Sequence, residues 1–139
     1  MKKTTQDIPI WLWVSLLLLV PVSALATAPI EAISARTAAA LIQEKQANSD
    51  FIILDIRTPG EFDAGHIAGA RNIDFYAQSF AQAFGNLDRG KTYLIYCRSG
   101  NRSGQLMRAV EKLQFKKVFH LQRGLVDWVG QGFKLVPSA

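Results

Sequence analysis

A single cysteine, Cys97, opens the segment Cys97-Arg98-Ser99-Gly100-Asn101-Arg102-Ser103. The segment sets a thiol beside two arginines, a glycine and two hydroxyls. A free thiol titrates near pH 8.5, and cations or a helix N-terminus can lower it to roughly 3.5–7.5. Arg98 and Arg102 supply the cations. Gly100 allows the backbone to curl, so that successive N–H groups of residues 98–102 face one spot as an anion-binding nest. Ser103 reads as the cap of a following helix, whose positive end would point at the same spot. No histidine lies in the segment to act as a base. The chemistry that fits is attack by a thiolate on an easily displaced group, rather than amide hydrolysis, which needs a general acid for a poor leaving group.

The elements that must position this thiol follow from the flanking patterns. Thr92–Tyr96 is a β-branched and aromatic run with the composition of a buried strand. Ser103–Leu113 is a helix with Leu106, Met107, Val110 and Leu113 on one stripe. Cys97 therefore sits where a strand ends and a helix begins. Upstream, Ser34 caps a helix over Ala35–Lys45, and Phe51–Ile56 is a near-continuous apolar run suited to a central parallel strand. Arg71–Phe75 reads as a short strand, Tyr76–Phe84 as a helix, Val118–Leu121 as a strand and Leu125–Val129 as a short helix. Thr27–Ile33 reads as an exposed lead-in, and Phe133–Val136 as an apolar tail that packs back on the domain. Alternating strands and helices predict an α/β domain with a mainly parallel sheet and helices on both faces. Ligands of such sheets lie beyond the carboxyl ends of the strands, where Cys97 falls.

The chain has 139 residues and a net charge of +5, enough for one domain. Residues 1–28 read as an export signal. Lys2 and Lys3 form a basic start, Ile10–Val20 an apolar core, Pro21 a break, and Ala24-Leu25-Ala26 a small-x-small cleavage pattern. The expected division is a signal peptide over 1–26 cut after Ala26, a lead-in over 27–32, the domain over 33–136 and a tail over 137–139. An exported, periplasmic protein with no membrane contact after cleavage follows. The alternative is an uncleaved inner-membrane anchor over Ile8–Ala28 facing the periplasm. Without Lys2, Lys3 and Asp7 the net charge is +4, which suits small anions. No basic run with interleaved aromatics suggests nucleic acid. An exported chain with one cysteine can make no internal disulfide. A monomer is expected.

Cys97–Ser103 resembles the active-site loop of the single-domain rhodaneses, the thiosulfate sulfurtransferases. Leu54-Asp55-Ile56-Arg57 with Glu61-Phe62, Gly65-His66-Ile67-Ala68-Gly69-Ala70, and Arg123-Gly124 with Trp128 resemble further segments of that family in order and spacing. The resemblance covers about residues 33–136. It implies a three-layer rhodanese-like domain in which Cys97 attacks the outer sulfur of thiosulfate and releases sulfite. A persulfide on Cys97 is then held by the loop amides until a thiophile, cyanide or a thiol, takes the sulfur. It implies no metal or organic cofactor. It assigns Cys97 as nucleophile and Arg98, Ser99, Gly100, Asn101 and Arg102 as the anion cradle, with Ser103, Asp55, Arg57, Glu61 and His66 in support.

Other readings of these residues stay open. Arg102 can bind ligand or pair with Glu61 or Asp55. Ser99 can offer its hydroxyl to the anion or serve the turn. Asp55 with Arg57 reads as a loop brace, and so does His66. His120 and Trp128 read as structural. Related phosphatases place five residues between the cysteine and the arginine, to hold a tetrahedral phosphate. Cys97 and Arg102 have four between them, which suits a single sulfur and makes phosphatase or arsenate-reductase activity the poorer reading. A sulfur relay or binding module serving a protein partner is the alternative from another class. Two residues depart from the family pattern. Arg123 stands where a glycine is usual and reads as solvent-facing. Gln114 stands where a glycine usually ends the helix after the loop.

Overall fold

The computed structural model describes residues 29–138. Five strands form one parallel sheet in the order β1-β5-β4-β2-β3. The strands are β1 (Ile30–Ile33), β2 (Phe51–Asp55), β3 (Arg71–Asn72), β4 (Thr92–Tyr96) and β5 (Lys117–Leu121). The helices are α1 (Ala35–Lys45), α2 (Pro59–Ala64), α3 (Phe80–Gly85), α4 (Asn101–Val110) and α5 (Gly124–Gly130).

The two-residue alternation of a strand divides the core between the faces. Ile52, Leu54, Tyr93, Ile95, Cys97 and Val118 pack with Phe84 of α3 and with Leu106, Met107 and Val110 of α4. Ile53, Leu94, Tyr96 and Leu121 pack with Ala35 and Ala38 of α1 and with Leu125 and Trp128 of α5. The apolar stripe on α4 is therefore what covers the face that carries Cys97. Central strands β4 and β2 are buried on both faces, and for that reason they read as unbroken apolar runs.

Several elements differ from the sequence reading. The lead-in is not free chain: Ile30–Ile33 pairs with β5, and Pro29 O accepts from Val118 N. The parallel sheet thus already takes in Ile30. An edge strand with only Ile33 buried lacks the periodicity that would announce it. The strand at Arg71 stops after Asn72, and α3 starts at Phe80 rather than Tyr76. Between them, Asp74 Oδ1 accepts from Tyr76 N and its carbonyl accepts from Ala77 N, a local turn that competes with both strand and helix. The helix after Cys97 starts at Asn101, two residues before Ser103, and ends at Val110 in a single 3-10 turn over Glu111–Leu113. The expected tail does return, through a bridge between His66 and Val136. The export-signal reading falls on residues outside those described. Among the described residues, no helix is long and apolar enough to cross a membrane.

Candidate active site

Cys97 follows directly on β4, and the chain turns at once into α4. Gly100 makes the turn at φ 89°, in the left-handed region, as the N-cap of α4. A Cβ there would lie 1.8 Å from Gln122 O, so the turn has room for glycine only. Ser103 is therefore not the cap. It lies one turn inside the helix, fully buried, with its hydroxyl at the sulfur. Gly100 N donates to Cys97 Sγ at 3.2 Å, and Ser103 Oγ lies 3.3 Å from the same atom.

The other side of the loop is fixed by α5. Leu125 N donates to Cys97 O and Val126 N to Arg98 O, both at 3.0 Å. Gly124 brings that helix close enough: a Cβ on it would meet Cys97 O at 2.3 Å, and its φ is 56°. Close approach thus requires glycine at 124 but not at 123. Arg123 has an ordinary negative φ and an exposed side chain, as expected from the sequence.

Cys97 is 1% exposed. Burial pushes its thiol up, but the Ser103 hydroxyl and the amides of Ser103, Gly100 and Ser99 together outweigh burial and hold it below the ordinary cysteine value. These donors favour the thiolate form of Cys97.

Arg102 pairs with Glu61 in a fork, Nη1 to Oε2 and Nη2 to Oε1, each at 2.8 Å. Of the two roles open in the sequence, the structure shows the pairing. Hydrogen bonds from Arg102 are the main reason the Glu61 carboxyl is pulled down to about 2. Glu61 also closes the capping box of α2 with Thr58, and Tyr76 lies with its ring under the Arg102 guanidinium at 5.5 Å. Arg98, Ser99 and Asn101 are exposed at the mouth. Arg98 lines a groove of about 390 Å³ with Arg57, Glu61, Leu125, Val126 and Val129. A cavity of about 420 Å³ near Lys45, Phe51 and Arg71 carries no nucleophile.

Asp55 and Arg57 form a buried pair, Arg57 Nη2 to Asp55 Oδ2 at 2.6 Å. Arg57 Nη2 also donates to Gly65 O at 2.7 Å, which ties the end of β2 to the loop that follows α2. His66 stacks on Phe62 with ring centroids 3.8 Å apart, and its Nδ1 lies 3.0 Å from Phe62 O. These residues brace the loops around the site rather than the sulfur itself. Ile67 N donates to the Tyr96 hydroxyl at 3.1 Å, fastening the same loop to β4. Among the described residues, no group of three or more His, Cys, Asp or Glu side chains converges.

One residue near the site reads from the sequence as structural only. His120 lies with Nε2 2.8 Å from Ser103 Oγ. Its signal was available in principle. Val118 and His120 share a strand face, and the register sets His120 opposite Ile95, two residues before Cys97. That signal needs the strand order, which the sequence does not state.

The rhodanese-like domain model matches residues 34–131. The chain belongs to the rhodanese-like domain family. Among similar rhodanese-like structures, a rhodanese-related protein of Thermoplasma volcanium superposes with a TM-score of 0.63 at 27% identity, over 78% of this chain and 99% of that one. A protein named "Sulfurtransferase" from Allochromatium vinosum is 28% identical over 69% of this chain and 88% of its own length. The "Probable adenylyltransferase/sulfurtransferase MoeZ" of Mycobacterium tuberculosis is 35% identical over 79 residues, 57% of this chain. The aligned part is 20% of that relative's length. The three-layer arrangement expected from the rhodanese resemblance is thus the fold observed.

Proposed function

We propose that the protein is an exported sulfurtransferase that takes sulfane sulfur from thiosulfate and holds it as a persulfide on Cys97. One observation carries the reading: the Gly100 amide and the Ser103 hydroxyl converge on a buried sulfur held at a strand–helix junction. Membership of the rhodanese-like family and likeness to proteins named sulfurtransferase support it.

In the first step the Cys97 thiolate attacks the outer sulfur of thiosulfate. A bond forms between Sγ and that sulfur, and the bond to the sulfonate sulfur breaks. The bonding pair leaves with sulfite. In the second step cyanide or a thiolate attacks the terminal sulfur, and the Sγ–S pair returns to Cys97 as a thiolate. The loop amides stabilise anionic sulfur in both states, before and after each transfer. Because Glu61 neutralises Arg102, attraction of the sulfonate falls chiefly to Arg98 at the mouth. Four residues between Cys97 and Arg102 give a cradle sized for sulfur rather than phosphate.

The test is a mass measurement. Thiosulfate should add about 32 Da to the wild-type chain, one sulfur atom as a persulfide, and cyanide should remove it. Cys97→Ser should take up nothing. Absence of the wild-type adduct would overturn the proposal. Exposed Val126 and Val129 beside Arg98 favour the relay alternative, in which the adduct forms but small acceptors discharge it poorly. Export is tested by sequencing the N-terminus of the protein recovered from the periplasm, expected to begin at Thr27.

A further inference from the structure

Ser103 has one hydroxyl hydrogen and three acceptors within reach. Cys97 Sγ and Gly100 O each lie at 3.3 Å, and His120 Nε2 lies closest, at 2.8 Å. Which acceptor takes the hydrogen depends on the imidazole. If Nε2 presents a lone pair, the short contact claims the hydrogen and the sulfur loses a donor. If Nε2 carries a proton, it donates to Oγ, and the hydroxyl hydrogen is released toward the sulfur side.

We infer that His120 is a positioning residue for the nucleophile, its Nε2–H donating to Ser103 Oγ so that the Ser103 hydroxyl donates to Cys97 Sγ. The bonds run His120 Nε2–H to Ser103 Oγ–H to Cys97 Sγ. Each donor polarises the next, and burial strengthens the effect. The fold makes this placement deliberate in geometry: His120 shares the β5 face of Val118, and α4 carries Ser103 across that face. Burial, the larger influence, keeps the ring neutral, while the Gly100 carbonyl favours the protonated form. A neutral ring carries one N–H, and the 2.8 Å approach to Ser103 Oγ puts Nε2 in place to be that donor. Its ladder neighbours, Ala32 on β1 and Ile95 on β4, do not titrate. On α4, the nearest approach from Gly104 is also uncharged. The titratable group to which the ring is linked is the Cys97 thiol, through Ser103.

The inference rests on Cys97 being the reactive thiol, but its readout is thiol titration and needs no sulfur donor. Because the chain has one cysteine, ultraviolet thiolate absorbance against pH reports Cys97 alone. His120→Phe should move the midpoint up by on the order of one pH unit, the worth of one hydrogen bond to a charged group. His120→Gln, which keeps an N–H near Nε2, should restore most of the shift. Ser103→Ala should also raise the midpoint, and adding His120→Phe to it should change nothing further. An unchanged midpoint in His120→Phe, or an equal shift with and without Ser103, overturns the inference. Nitrogen NMR of the wild-type ring decides the matter independently of how the variants fold. A protonated Nε2 is expected, and a bare Nε2 overturns the inference.

Discussion

The chemistry of the site is set by atoms that the backbone contributes, and so by the one residue type that lets the backbone approach. Gly100 is both left-handed and pressed against Gln122 O. Gly100→Ala adds a Cβ where no space exists and forces either the loop or the β5–α5 turn to move. The expected result is a loss of more than about 3 kcal/mol in denaturant unfolding, with no persulfide formed by whatever remains folded. The same reasoning separates Gly124 from Arg123. Only the first touches the carbonyls of Cys97 and Arg98, so a side chain at 123 is tolerated. His120 shows the opposite case, in which a polar group in an apolar strand is explained by what it meets on the neighbouring helix.

Helix α4 carries the site at its N-terminus and a defect at its other end. Gln114 sits at φ 55°, ψ 41°, the one positive-φ residue other than glycine among those described. A side chain there costs roughly 1 kcal/mol, which glycine would avoid. Gln114→Gly should therefore raise the thermal midpoint, by an amount reflecting up to about 1 kcal/mol, with thiol titration unchanged. The position stands out in the sequence through the family resemblance, because Gln114 replaces the glycine that usually ends this helix. The central strands and the loop after Thr92–Tyr96 were legible for similar reasons, since unbroken apolar runs leave few alternatives. Strand β1 was not, because its hydrogen bonds depend on a strand far along the chain. Helix α3 was misjudged at its start, since Phe80 and Phe84 gave the period but Asp74 had already bent the chain. The place of Ser103 was misread because a serine ahead of an apolar stripe looks like a cap, whereas Gly100 does the turning.

Across the whole domain, the fork between Arg102 and Glu61 joins α4 to α2 and thereby ties the thiol loop to the segment after β2. The carboxyl of Glu61 titrates at about 2, below the 4.5 of an unpaired glutamate. A depressed folded value means the pairing is fully present above about pH 4.5 and is lost as pH falls toward 2. Acid unfolding followed by circular dichroism should steepen in that window. In Glu61→Gln this contribution should be missing, with stability at neutral pH lower by about 1 kcal/mol after allowing for solvent screening. The buried Asp55–Arg57 pair works beside it, and removing either member would leave a charge without its partner inside the fold.

Strand β1 has one neighbour, β5, and a surface ion pair between Glu31 and Lys117 spans the junction, 86 residues apart in the chain. The first strand to emerge during synthesis must therefore wait for the last. Closing so long a loop is entropically costly and slow. Until β5 arrives, β1 has no partner and the β4 edge stays unpaired, so the sheet closes only when nearly the whole domain has been made.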